Sequence, residues 1–232
     1  MITFKRPDGK DCSAFYVEPS AGSRAPGLVV IQEWWGLNDQ IKGVANRLAE
    51  AGYRALVPDL YRGKVGLDAK EAEHLMTNLN FGDAAAQDIR GAVQYLKQSS
   101  SKVGVTGFCM GGALTILAAV HVPEVDASVC WYGCPPLDYV DATKIKAPIQ
   151  GHWALEDAYF PIQQVDGLEE KLKTANVRCE FHRYKAKHAF ANDTLRDPSH
   201  PIAYDAAAAE TAWTRTMTFF NQHLKGSRTQ TA

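Results

Sequence analysis

The sequence has no stretch approaching the roughly 18 unbroken apolar residues that a membrane-spanning helix needs. Its richest run, Ala113 to Val122, is interrupted by Thr115 and His121. It also lacks any run of five lysines or arginines, and 25 basic against 26 acidic residues leave a formal net charge of −1. That balance gives no electrostatic footprint for nucleic acid or an anionic membrane surface, so neither is expected as a partner. The opening Met1-Ile-Thr-Phe-Lys-Arg-Pro-Asp8 has no apolar core of a secretory signal. Cysteines are few and odd in number, five without framework spacing, which predicts reduced thiols and a cytoplasmic address rather than disulfides. Cys130 and Cys134 stand four apart with no second pair beside them, so no metal site is expected, and nothing in the chain calls for a cofactor. Internal repeats are lacking too, and low complexity is confined to Ala206–Ala209.

What is present is an ordinary globular composition, 46% hydrophobic and 22% charged over 232 residues, enough chain for a sizeable core. Residues 1–225 read as a single α/β domain, expected as a monomer, and residues 226–232 as a flexible polar tail. Short apolar runs alternate with segments of helical period. Strands are expected at Gly27–Ile31, Arg54–Pro58, Lys102–Gly107, Ala127–Tyr132, Pro148–Trp153 and Val177–Tyr184. Helices are expected around Ile41–Leu48 (ended by Gly52), Asp68–Leu79 behind an Asp68-x-x-Glu71 cap, and Ile89–Leu96. Further helices fall at Met110–His121, from Pro161 to about Ala175, and within Ile202–Leu224. Such alternation predicts a mostly parallel sheet with helices on both faces. The segments Ile2–Phe4 and Ala14–Glu18, joined through Pro7-Asp-Gly9, suit an antiparallel pair at one edge.

One turn carries chemistry. Gly107-Phe-Cys109-Met-Gly111-Gly112 follows an apolar strand and opens a helix, the glycine-x-nucleophile-x-glycine pattern with cysteine where serine usually stands. A side chain at Gly107 or Gly111 would collide with neighbouring backbone. The helix beginning at Met110 points its positive end at Cys109, favouring thiolate. Cys12, Cys130 and Cys179 read as strand residues that pack; Cys134, in a loop, is left open.

A sulfur nucleophile needs a base that can return the proton to the leaving group, and imidazole does this near neutrality. Of seven histidines, His188 is best placed, a short loop beyond the strand Val177–Tyr184. His152 falls inside a strand and reads as a packed core histidine, and His74 lies on a helix near a possible pocket. His121, His182, His200 and His223 read as surface or packing residues. An acid is needed to orient the imidazole; Asp157 lies just past the strand Pro148–Trp153, with Glu156 competing for the role. The order Cys109, Asp157, His188 is that of α/β-hydrolases, each at a strand's C-terminal end. The loop Gln32-Glu33-Trp34-Trp35-Gly36 follows the first long strand, where this fold draws its second oxyanion-binding amide, so the N–H groups of Trp34 and Met110 are expected to face the oxyanion. Glu33 is out of place there, a carboxylate where negative charge develops.

These residues, with Ala51-Gly-Tyr53, Val57-Pro-Asp-Leu-Tyr61, Trp131-Tyr-Gly133, Gly151 to Asp157 and His188-Ala-Phe190, resemble the dienelactone hydrolase (carboxymethylenebutenolidase) family over nearly the whole chain. The resemblance implies a Cys109–His188–Asp157 triad that opens lactones or enol esters through a thioester. It also implies that Glu33 pairs with the resting thiol and, displaced by substrate, takes its proton. The family holds a substrate carboxylate with two arginines; the matching positions here are Asn192 and, more loosely, Lys70, and Ala189 replaces a common serine. Asn192 lacks a charge-assisted bidentate grip, which leaves Arg62 or Lys70 as candidate cations and Trp35 and Tyr132 as candidate apolar walls. A broader carboxylesterase or thioesterase, a ligand-binding homologue without turnover, and a thiol sensor are the competing readings.

Overall fold

The computed structural model describes residues 1–20 and 24–225; the expected tail, 226–232, lies outside them. Eight strands form one sheet in the order β1-β2-β4-β3-β5-β6-β7-β8. The strands are β1 (Ile2–Lys5), β2 (Asp11–Val17), β3 (Gly27–Ile31), β4 (Arg54–Pro58), β5 (Val103–Phe108), β6 (Ala127–Trp131), β7 (Ile149–Glu156) and β8 (Cys179–Lys187). β1 and β2 pair antiparallel with Ile2 opposite Ala14, as the turn at Pro7-Asp-Gly9 requires, and β2 runs antiparallel to β4. Every pairing from β4 across to β8 is parallel. The five residues of β3 are all buried, as are those of β4, β5 and β6, because helices cover both faces.

The side-chain alternation of a strand divides the core between those faces. Val29 and Ile31 of β3 pack with α4 (Arg90–Lys97) and α5 (Met110–His121), whereas Leu28 and Val30 pack with α1 (Asp39–Glu50) and α7 (Ala206–Phe220). A third cluster joins Ile116 of α5 to Ile149 and Trp153 of β7 and to Val165, Leu168 and Leu172 of α6 (Ile162–Thr174). α2 (Ala69–Thr77) begins at Asp68, whose carboxylate accepts from the Glu71 N–H at 2.8 Å; Glu71 reaches back to the N–H of Leu67. α3 (Phe81–Asp83) continues through a π-helical run, Ala84–Ile89, into α4. That run buries Asp88 between Arg6 and Arg62, at 3.1 and 2.8 Å.

Two strands run further than the sequence pattern predicts. β7 continues three residues past Trp153 to Glu156, and β8 continues past Tyr184 to Lys187, leaving no loop before His188. Their ladder carries an irregularity between Ala154 and Glu156. Asp157 and His188 therefore leave adjacent, paired strand ends side by side, in line with Cys109 at the end of β5.

Candidate active site

Cys109 stands between β5 and α5 with φ +56°, ψ −117°, a backbone conformation that side chains rarely adopt. It is held there by its own N–H on the Trp131 carbonyl at 3.0 Å and by its carbonyl, which accepts from Gly112 at 2.9 Å. The flanking glycines are sterically required. A Cβ on Gly107 would strike the Gly111 carbonyl, and one on Gly111 would strike the carbonyls of Ile31 and Gln32. The turn thus locks α5 against β3, and the thiol is left projecting into a cavity beyond the strands' C-terminal ends.

His188 Nε2 lies 3.1 Å from Cys109 Sγ, and its Nδ1 lies 2.7 Å from Asp157 Oδ2. The other Asp157 oxygen accepts from the N–H groups of Tyr159 and Phe160, at 2.8 and 2.9 Å. Those bonds explain why the shorter acid occupies the site: Asp157 folds back on the turn that follows it, while Glu156 is exposed. Tyr159, Phe160 and Tyr132 ring the imidazole, with centroids 5.1, 5.6 and 5.3 Å away. Burial alone would strip His188 of its proton. The adjacent sulfur, if anionic, and the hydrogen-bonded Asp157 outweigh burial and raise the imidazole to about 10. The other cysteines are set apart by burial, which pushes the thiols of Cys12 and Cys134 up to about 12 and raises those of Cys130 and Cys179. Cys134, left open by its loop position, is thus a buried thiol in the cavity wall.

Glu33 is 3% exposed. Burial raises its carboxyl above the ordinary range, against hydrogen bonds that lower it. Asn192 Nδ2 donates to Oε2 at 2.9 Å and the Tyr132 hydroxyl donates to Oε1 at 3.3 Å. No hydrogen bond joins Glu33 to Cys109 in this arrangement; the thiol is on His188 instead. The pairing of glutamate with resting thiol that the family resemblance implies is therefore not the one seen.

The cavity has a volume of about 810 Å³. Trp34, Trp35 and Met110 line it beside Cys109. Four of the residues expected to contact substrate do not. Arg62 is tied to both carboxylate oxygens of Asp88, at 2.8 and 3.0 Å, and to the Asp59 carbonyl. Lys70 is exposed on α2 and is not among the residues lining the cavity. Tyr132, with φ +37°, turns into the core against Phe108 and Phe190, and Asn192 is 1% exposed and committed to Glu33. His74 also faces away from the cavity, beside Asn78. Conversely, Tyr159, Phe160, Leu117 and His121 line the cavity without having been singled out for it. The aromatic pair directly follows Asp157, and Leu117 and His121 continue a four-residue spacing from Cys109, so the sequence carried a signal for each. No group of metal-ligating side chains is present among the described residues, and no helix among them is long and apolar enough to cross a membrane.

A mostly parallel sheet carrying a cysteine at a strand–helix turn, an acid and a histidine at successive strand ends defines the α/β-hydrolase fold. Residues 12–224 match the model of the dienelactone hydrolase family, and the chain belongs to that family. It is 34% identical to Protein usf of Aquifex pyrophilus, over 97% of this chain and 98% of that one. It is 32% identical to a Methylorubrum extorquens protein named "Putative carboxymethylenebutenolidase", over 90% of this chain and 76% of that one. Among solved structures, a dienelactone hydrolase-like promiscuous phosphotriesterase from metagenomic libraries superposes with a TM-score of 0.85 at 25% identity, covering 96% of this chain and 97% of that chain.

Proposed function

We propose that this chain hydrolyses a lactone or an activated ester through a thioester on Cys109. His188 carries the proton, Asp157 steadies the imidazole, and Glu33 assists removal of the thiol proton. The observation that carries this reading is the continuous series from Cys109 Sγ to His188 Nε2 and from His188 Nδ1 to Asp157 Oδ2. In this reading the thiolate attacks the carbonyl carbon, and the carbonyl oxygen becomes an oxyanion facing the N–H groups of Trp34 and Met110. The carbon–oxygen bond to the leaving group then breaks, and His188 gives that oxygen its proton. Water, deprotonated by His188, adds to the thioester; the thiolate departs and the acid is released.

A thiolate is itself a good leaving group, so the tetrahedral intermediate goes forward only when the departing oxygen is stabilised. Enol lactones and aryl esters meet that condition and simple alkyl esters do not. Glu33 is suited to its part by a carboxyl that burial raises toward the thiol's range, and Asn192 and Tyr132 hold it in the position turned off the sulfur. Rapid acid quench of the protein with an aryl ester, followed by peptide mass spectrometry, tests the scheme. The acyl mass is expected on Cys109 and is expected to vanish in Cys109→Ala. An acyl mass on another residue, or turnover that survives Cys109→Ala, removes the thioester route.

A further inference from the structure

We infer that the acyl part of the substrate is uncharged and apolar and lies lengthwise along α5, from Cys109 at one end to His121 at the other. The inference rests on the hydrolase reading above for the position of the reacting carbonyl. Cys109, Ala113, Leu117 and His121 recur at every fourth position and all line the same cavity. Twelve residues of helix span about 18 Å, so this stripe forms an elongated floor rather than a compact pit. Ala113 and Leu117 are buried within it, and His121 is exposed at its far end. Apart from Glu33, His188 and Asn80, the remaining walls are mostly apolar, including Met76 and Phe81 from the α2–α3 region and Pro135 and Pro136 between β6 and β7.

Charge sets the second half of the inference. Among the described residues lining the cavity there is no lysine or arginine, and the one carboxylate is Glu33. A substrate carboxylate near the thiol would thus lose water with no cation to meet but the His188 imidazole, whose two nitrogens are already taken by Asp157 and the sulfur, and would approach a side chain able to carry its own charge. Arg62 is engaged by buried Asp88 and Lys70 is exposed outside the cavity, so neither repairs the deficit. A neutral chain meets the opposite situation: each methylene it buries along the floor strengthens binding by up to about fourfold. Parking the acyl chain there also keeps the thioester in place while water replaces the departed alcohol.

The test uses wild-type protein and p-nitrophenyl esters of straight-chain acids from acetyl to decanoyl, beside matched monoesters of dicarboxylic acids. For the neutral series kcat/KM is expected to climb with acyl length and level off once the chain reaches the mouth at His121. A terminal carboxylate on a short chain is expected to cost about 100-fold against the neutral ester of equal length. That gap should narrow when the chain is long enough to bring the carboxylate out at His121. A flat or falling dependence on acyl length overturns the inference, as does a short carboxylate-bearing ester turned over as well as its neutral partner. Calorimetric binding of methyl ketones and keto acids of the same lengths to Cys109→Ala reads the cavity without chemistry. The same ranking there, with no ester turned over by wild type, defeats the hydrolytic reading and upholds the cavity inference. Turnover with the ranking inverted does the reverse.

Discussion

Two histidines lie buried near the same edge of the sheet and are driven in opposite directions. His152, fully buried on β7, has neutral partners throughout: Tyr184 hydroxyl at 2.9 Å, Gln150 at 3.1 Å and Thr216 at 2.9 Å. Burial lowers its pKa, and the neighbouring His182 and Arg215 lower it further. His188, 4% exposed, meets the same desolvation but faces Asp157 and a sulfur that can be anionic, and its pKa rises. Burial is common to both; the charge of the partners decides which imidazole can carry a proton through a reaction. The pair should separate cleanly under mutation. His188→Ala is expected to lower kcat on an aryl ester by at least about three orders of magnitude, as in hydrolase triads generally, measured by steady-state kinetics. His152→Ala should leave kcat within a few-fold of wild type. It should instead destabilise the fold by about 3 kcal/mol, read from urea unfolding, because it takes the imidazole from Gln150 Oε1 and the Thr216 hydroxyl and leaves a cavity beside them. Comparable losses of kcat in both variants would erase the distinction.

The comparison sharpens further when the anion is removed from His188. In wild type the anionic sulfur and Asp157 together outweigh burial and raise the imidazole above its ordinary value. Cys109→Ala deletes the sulfur, leaves Asp157 in place, and restores the full weight of desolvation. The proton should then leave at lower pH, so that less of the imidazole is charged at pH 8. Imidazole NMR titration of the two proteins reads this directly. An unchanged His188 midpoint would assign the upward shift to Asp157 alone, while His152 should stay neutral across the range in both.

Much of this region was legible in the sequence, because it is written in local patterns. The apolar runs and helical periods predict every strand from β3 to β8 within a few residues, and the glycines around Cys109 announce a turn that tolerates no side chain. What stayed illegible depends on distant partners. Arg62 lies beyond the C-terminal end of β4, on the side of the sheet where substrate contacts belong, yet Asp88, 26 positions on and buried in a π-helical run, takes it out of the cavity. Asn192 is a site position through the family resemblance alone, and nothing local says that its amide faces Glu33 rather than solvent. The cavity walls come from α2–α3, the β6–β7 connection and the 188–202 segment, which share no sequence signal and meet only in the folded chain.

The smallest effect, and the most particular to this chain, concerns Asn192. Its amide and the Tyr132 hydroxyl are among the side-chain donors, with Trp35, that hold the Glu33 carboxylate off the thiol, and Thr194 holds the amide oxygen at 2.6 Å so that the NH₂ end points at Glu33. Asn192→Leu removes one of those donors while filling similar space. The buried carboxyl then takes up protons more readily and is freer to swing toward Cys109, where it takes the thiol proton alongside His188. Iodoacetamide should consequently label Cys109 several-fold faster in Asn192→Leu than in wild type, with labelling followed by intact-protein mass. Glu33→Gln added to Asn192→Leu should restore the wild-type rate, because the amide cannot carry the thiol proton. Additivity of the two substitutions in the logarithm of the labelling rate would mean that Asn192 acts on the thiol independently of Glu33, and the coupling argued from their hydrogen bond would fail.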